Sequence, residues 1–250
     1  MSHTCHFRFT MLAAATTIAM VSARASRADF IGNLQLLPQG CEVTGECRLG
    51  QNFGFIDSAG IGWQATKGLA TDGASIPEWA KTVIGQSFEP AFIRAAVIHD
   101  HYCVRRVRPW RQTHKVFHEA LLASGVSRLQ AGIMYYGVLI GGPKWAKLVK
   151  GKPCPVGMGC IQQVDVTAAV RGASIGLTSD GQAIIKRAAD FGSERFRQRF
   201  QEGLPKLLAA GNDLKPEDVE ALAAQEMAGD FYFRNGDEVG TSLDVTIRTE

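Results

Sequence analysis

The chain has 250 residues, 46% hydrophobic and 20% charged, with a formal charge of only +3. That is ample material for one or two globular domains, and the charge is too small to point to nucleic acid. No apolar run approaches the roughly 20 residues that span a bilayer.

The N-terminal segment stands apart from the rest. Arg8 precedes an uncharged apolar run from Phe9 to Val21, and Ala23-Arg24-Ala25 and Ser26-Arg27-Ala28 each fit a small-x-small cleavage site. This predicts a secretory signal peptide over 1–28, a periplasmic or secreted mature chain, and no transmembrane span after cleavage. Of the six cysteines, Cys5 leaves with the signal. Cys41/Cys47 and Cys154/Cys160 each flank a short Gly-containing segment and read as local disulfides, with Cys103 free and buried.

From Phe30 to Ala70, short apolar runs alternate with Gly, Asn and Asp and read as strands, with Asp57–Gly60 as a hairpin turn. Helical periodicity begins at Ile76. Ser75-Ile76-Pro77-Glu78 has the form of a capping box, with Pro77 in the first turn and Gly73 giving freedom to the turn before it. That helix stops at Gly85. A second begins at Pro90 and carries Phe92, Ala95, Ala96, His99, Tyr102 and Cys103 on one stripe, so His99 points inward. Asp100, about 100° around the helix, points to a flank. Pro109 opens a third helix, on which His114 and His118 share a face, and a fourth runs from Ser127 to Ile140, stopped by Gly141-Gly142-Pro143.

After Pro153, the segments 174–210 and 215–227 read as amphipathic helices, and the tail as a hairpin around Asn235-Gly236. The expected fold is therefore α+β: a small antiparallel sheet or meander beside a compact helical bundle in 29–150, with a mostly helical extension in 151–250.

All four histidines beyond the signal segment fall between His99 and His118. Three readings compete. His99 is a general base tuned by burial and a carboxylate, Asp72 or Asp100. Alternatively His114 and His118, at i, i+4, ligate a metal with Asp100 as third ligand, a set that suits zinc. In the third reading the groups form a buried structural network without chemistry. The loop Arg105, Arg106, Arg108, Arg111, with Trp110 inside it, is a candidate anion-binding surface for lipid headgroups or envelope polymers.

Thr71-Asp72-Gly73-Ala74-Ser75-Ile76-Pro77, Ala95 to Tyr102, Thr113 to Leu121 and Gly125 to Gly142 together resemble the bacterial and phage domain-of-unknown-function family 1353 over roughly Phe30 to Trp145. Where the family pattern reads Ala-Asp before the helical Phe, this chain has Thr113-His114. The helical His-Asp pair also has a distant likeness to phospholipase A2, in which such a pair supplies the general base and a calcium ligand. A glycine-rich calcium loop is missing here, and Asp72 would have to take the orienting carboxylate's role. The resemblance thus allows calcium beside zinc as a possible divalent metal.

The function expected from these features is an exported hydrolase of an envelope ester or amide, lipid or cell-wall derived, in which His99 activates water with help from Asp72 and Asp100. The alternative is a non-catalytic envelope or phage-derived module binding through Arg105–Arg111. Mass spectrometry of protein from its native host is expected to find the N-terminus near Ser26 or Asp29; an intact Met1 in a soluble cytoplasmic fraction would rule out the export reading.

Overall fold

The computed structural model describes residues 28–150 and 172–241. The expected signal peptide, apart from Ala28, and the expected Cys154/Cys160 disulfide lie outside these residues. The expected mixed α+β class is what the structure has.

Two small three-stranded sheets come first. Strands β1 (Asp29–Ile31), β4 (Phe53–Ile56) and β5 (Gly62–Ala65) form an antiparallel sheet in the order β1-β4-β5. Strands β2 (Leu36–Leu37), β3 (Cys47–Leu49) and β6 (Ala70–Thr71) form the other, in the order β2-β3-β6. Asp57 closes the expected β4–β5 hairpin: its carboxylate accepts the amides of Ala59 and Ile61 and the indole N–H of Trp63. A disulfide joins Cys41 to Cys47, as the spacing predicts.

The helices follow. A 3₁₀ turn (Glu78–Ala80) leads into α1 (Lys81–Ile84), which ends at Gly85. Helices α2 (Pro90–Arg105), α3 (Trp110–Ala123) and α4 (Arg128–Gly141) form an antiparallel stack. Helix α2 lies between α3 and the β4–β5 hairpin, which explains why burial extends beyond one stripe to include Ile93, Val97, Ile98 and His101. Helix α4 is buried at every position from Ala131 to Gly141, because α3 covers one side and the C-terminal helices the other.

The C-terminal part differs from expectation. Segment 174–187 is a β-hairpin, β8 (Ala173–Leu177) and β9 (Ala183–Arg187), not the start of a helix. Asp180-Gly181 makes its turn, with Gly181 at φ 83°. Strand β7 (Lys144–Lys150) leaves α4 and pairs antiparallel with β9. The expected hairpin at Asn235-Gly236 is also corrected. Phe231–Asn235 is a short helix ending at Gly236, and the chain then runs as β10 (Glu238–Thr241), parallel to β7. The sheet order is β10-β7-β9-β8. Helices α5 (Glu194–Ala210) and α6 (Pro216–Glu226) pack on α4, and α7 is Phe231–Asn235. The sheet joins residues from both sides of position 150, so the C-terminal region is built into the same body as the helical stack. Among the described residues no helix is long and apolar enough to cross a membrane.

Lys144 is fully buried at the start of β7. Its ammonium donates to the carbonyls of Ile140 and Gly142 and faces the rings of Trp110 and Phe233. Burial, with repulsion from Arg187, lowers its pKa from 10.5 to about 7. A base depressed on folding binds fewer protons in the native than in the unfolded state between those values, so stability rises with pH there. The protein is expected to gain stability from pH 7 to 9, and Lys144→Met to lose most of that gain while being more stable at pH 7. Denaturant titrations across this range check it; parallel curves for the two proteins would refute it.

Candidate functional site

The site lies where the end of β6, the middle of α2 and the facing side of α3 meet. Helix α2 carries His99 and Asp100 at adjacent positions, so they leave the helix in different directions. His99 is buried against α3, while Asp100 is half-buried and turns toward β6.

His99 Nε2 lies 2.8 Å from His114 Nδ1. The other nitrogen of His114, Nε2, is 3.1 Å from the carbonyl of Pro143. A carbonyl only accepts, so His114 carries its proton on Nε2 and its Nδ1 is an acceptor. His99 must then donate from its own Nε2, which leaves its Nδ1 as a lone pair, 3.9 Å from Asp100 Oδ1. Burial keeps both rings neutral. It lowers the pKa of His99 to about 3 and that of His114 well below 6.5, the latter further depressed by His99 and Lys144. The close approach of Pro143 depends on Gly142, where a Cβ would sit 3.0 Å from His114 Nε2.

Asp100 is held from the other side. The Thr71 hydroxyl donates to its Oδ2 at 3.0 Å and accepts the amide of Gly73 at 3.1 Å. Burial raises its pKa to about 7; the Thr71 bond opposes that rise and the charge of Asp72 adds to it. Gly73 is required by the turn that presents Thr71: its φ is +83°, and a Cβ would lie 2.5 Å from the carbonyl oxygen of Ser87. The capping box does not form. Pro77, extended at ψ 146°, is the N-cap residue and no side chain caps the turn. The 3₁₀ start at Glu78 leaves Ser75 outside the helix.

These groups line one end of a pocket of about 920 Å³. Thr71, Asp72, His99, Asp100 and Cys103 form its polar end. Its walls are apolar: Ile76, Trp79, Phe117 and Met134 from the helical stack, and Phe191, Phe196 and Phe200 from the C-terminal region. So His99, Asp100 and Asp72 share one pocket, but the direct partner of the His99 imidazole is His114, not Asp72. Asp72 is exposed at the rim, and its link to the site runs through Asp100.

The other candidates separate. His118 stacks near the Tyr135 ring, 5.1 Å between centroids, and burial lowers its pKa to about 4. The expected grouping of His114, His118 and Asp100 around a metal is not the one the fold assembles. The donors gathered at His114 are His99 Nε2 and the Cys103 sulfur, 3.4 Å from that nitrogen. His101 meets Arg105 instead.

The basic loop is half-buried, and its side chains are engaged within the fold. Trp110 is fully buried. Arg108 stacks 4.0 Å from the Trp63 ring centre and donates to the carbonyl of Gly62. Arg111 lies over Trp110 and donates to the Phe233 carbonyl. Arg106 adopts the left-handed conformation that ends α2 and donates to Val104, while the backbone carbonyl of Arg105 receives Ser179. Thr71 and Cys103 were not legible as site residues. Thr71 directly precedes Asp72-Gly73, where a hydroxyl turn is a visible signal, whereas the Cys103 position depends on α3 packing.

The comparisons with known proteins agree with the motifs. The family described as "Protein of unknown function (DUF1353)" matches residues 47–138, the stretch that holds Thr71, Asp72, His99, Asp100 and Cys103. Two proteins of Sinorhizobium fredii are similar. "Uncharacterized protein y4iH" is 47% identical over 118 residues, covering 47% of this chain and 49% of that protein. The chain therefore spans about half the length of that relative. "Uncharacterized protein y4jT" is 30% identical over 241 residues, covering 90% of this chain and 71% of its own. No solved structure matches the chain. A relative similar over nearly the whole length, together with a family match that contains the polar end of the pocket, shows that the chain belongs to the DUF1353 family.

Proposed function

We propose that the protein is an exported hydrolase that cleaves an ester or amide carrying an apolar acyl group, such as a lipid or cell-wall derivative of the envelope. The observation that carries this reading is Asp100: a carboxylate fixed by Thr71 at the polar end of a large pocket with aromatic and aliphatic walls. A carboxylate at the floor of an apolar cleft is placed to take a proton from water beside a bound acyl group.

The roles shift from those expected from sequence. The Nε2 proton of His99 is engaged by His114, and burial makes the ring a weak base. Asp100 is therefore the base, and Thr71 is the residue that positions it. Water loses a proton to Asp100 as its oxygen bonds to the acyl carbon. The bond to the leaving alcohol or amine then breaks, and that group takes the proton from Asp100, restoring the carboxylate. The export part of the proposal is supported by the N-terminal apolar run and the Cys41–Cys47 disulfide. Binding through the basic loop has less support, since Trp110, Arg108 and Arg111 are occupied within the fold.

The test uses the full chain with p-nitrophenyl esters of graded acyl length, a fluorogenic phospholipid and an acylated aminosugar amide. Turnover of at least one probe is expected, improving with acyl length. Asp100→Asn keeps the Thr71 contact and is expected to lower kcat/KM by about 10²–10⁴-fold with a melting temperature no lower than that of the unmutated chain. A panel with no turnover, or full activity in Asp100→Asn, would overturn the proposal.

A further inference from the structure

We propose that His99, Cys103 and His114 form a binding site for a borderline-soft divalent metal of the zinc class, with one coordination position open to the pocket. The capture of the ion does not depend on the hydrolase reading; what the ion would serve there rests on it.

Three donor atoms converge. His99 Nε2 and His114 Nδ1 are 2.8 Å apart, the Cys103 sulfur is 3.4 Å from the first, and all three lie within 4.8 Å of one another. They come from two helices: His99 and Cys103 share a face of α2 at i, i+4, and His114 projects from α3. Tetrahedral zinc, with bonds of about 2.0–2.1 Å to nitrogen and about 2.3 Å to sulfur, separates two nitrogens by about 3.3 Å and a nitrogen from a sulfur by about 3.5 Å. The Cys103–His99 spacing is close to that already, the imidazoles need open by only about half an ångström, and Cys103 and His114 start within 4.8 Å of each other.

The surroundings match what metal-binding histidines use. A ligating imidazole ordinarily donates its other ring N–H to a carbonyl or carboxylate, which fixes its tautomer. His114 already does so: its Nε2–H is on Pro143, and Nδ1 presents a lone pair to the cluster. His99 has Asp100 on its far side, 3.9 Å from Nδ1. On metal binding its proton moves from Nε2 to Nδ1, toward that carboxylate, and the Cys103 thiol releases its proton to solvent. His99 and Cys103 line the pocket and His114 does not, so the open side of the cluster faces the pocket. Two nitrogens and one sulfur exclude calcium and magnesium, which take oxygen ligands. The other grouping of potential donors, Cys41, Glu42 and Cys47, has both sulfurs in the disulfide.

The experiment is a cobalt(II) titration of the full chain, stripped of metal by chelation and kept under argon. Saturation at one equivalent is expected, with thiolate-to-cobalt charge-transfer absorption in the near ultraviolet and intense visible bands of a tetrahedral ion, both abolished by one equivalent of zinc. Cys103→Ser, nearly isosteric, is expected to remove the charge-transfer band and weaken binding at least tenfold, whereas His118→Gln leaves spectrum and affinity unchanged. Absence of saturable binding, a spectrum indifferent to Cys103→Ser, or one sensitive to His118→Gln would overturn the site. A zinc-dependent rise in the melting temperature of the unmutated chain provides a readout independent of whether the variants fold. Stoichiometric cobalt uptake with no turnover of any acyl probe removes the hydrolase reading and leaves the metal site. Turnover by a chain that takes up no cobalt does the reverse.

Discussion

Two imidazoles meet at 2.8 Å between α2 and α3, in a place where burial leaves neither able to hold a charge at neutral pH. A neutral pair can share one proton in only one direction once either ring's far side is fixed, and Pro143 fixes it. The polar architecture follows from that. From the exit of α4 to the turn after β6 runs a chain of contacts: Pro143 to His114, His114 to His99, His99 across to Asp100, Asp100 to Thr71, and Thr71 to Gly73. Every step is a hydrogen bond except one. The 3.9 Å between His99 Nδ1 and Asp100 Oδ1 is too long for direct bonding, and both residues line the pocket. Orphaning any one of its buried members would cost roughly 1–3 kcal/mol, so the helix pair and the turn hold each other in place.

The pocket has two origins in the chain. Its polar end lies within residues 47–138, the stretch matched by the family. Much of its apolar wall comes from beyond β9: Phe191, Phe196 and Phe200, which contact one another and Trp79. This wall sits close on α4 at two glycines: a Cβ at Gly141 would clash with the Phe196 ring and lie 3.0 Å from Phe191, and one at Gly137 would lie 3.4 Å from Phe200.

The helices of the stack and the β4–β5 hairpin were legible because their signals are local: Pro90, Pro109, Ser127 and Asp57 each act on the backbone within a few residues. Ser127 caps α4 by accepting the amide of Gln130. The placing of His99 on the buried side of α2 was legible for the same reason. What failed was the choice between periods. Segment 174–187 contains Ile175, Leu177, Ile184 and Ile185 around Asp180-Gly181, and a helical reading ignored a turn signal strong enough to make a hairpin. The partner of His99 was beyond sequence reasoning. Asp72 and His114 were both near enough along the chain, and only the rotation of α3 about its own axis selects His114 and sends His118 to Tyr135. Cys103 joins the cluster through the same rotation.

His114 also stands where the family pattern has an aspartate, and the exchange has physical consequences. An aspartate facing a buried His99 would accept a hydrogen bond from its Nε2–H and, as an anion, raise the basicity of the ring. A neutral imidazole gives no such pull. It holds the ring through a lone pair, adds its own desolvation, and lies near Lys144, which disfavours any positive charge nearby. On the proposed reading the proton-accepting role falls to Asp100, which Thr71 already orients. Relative to an oxygen donor, a nitrogen next to a thiol makes the proposed cluster a softer ligand set.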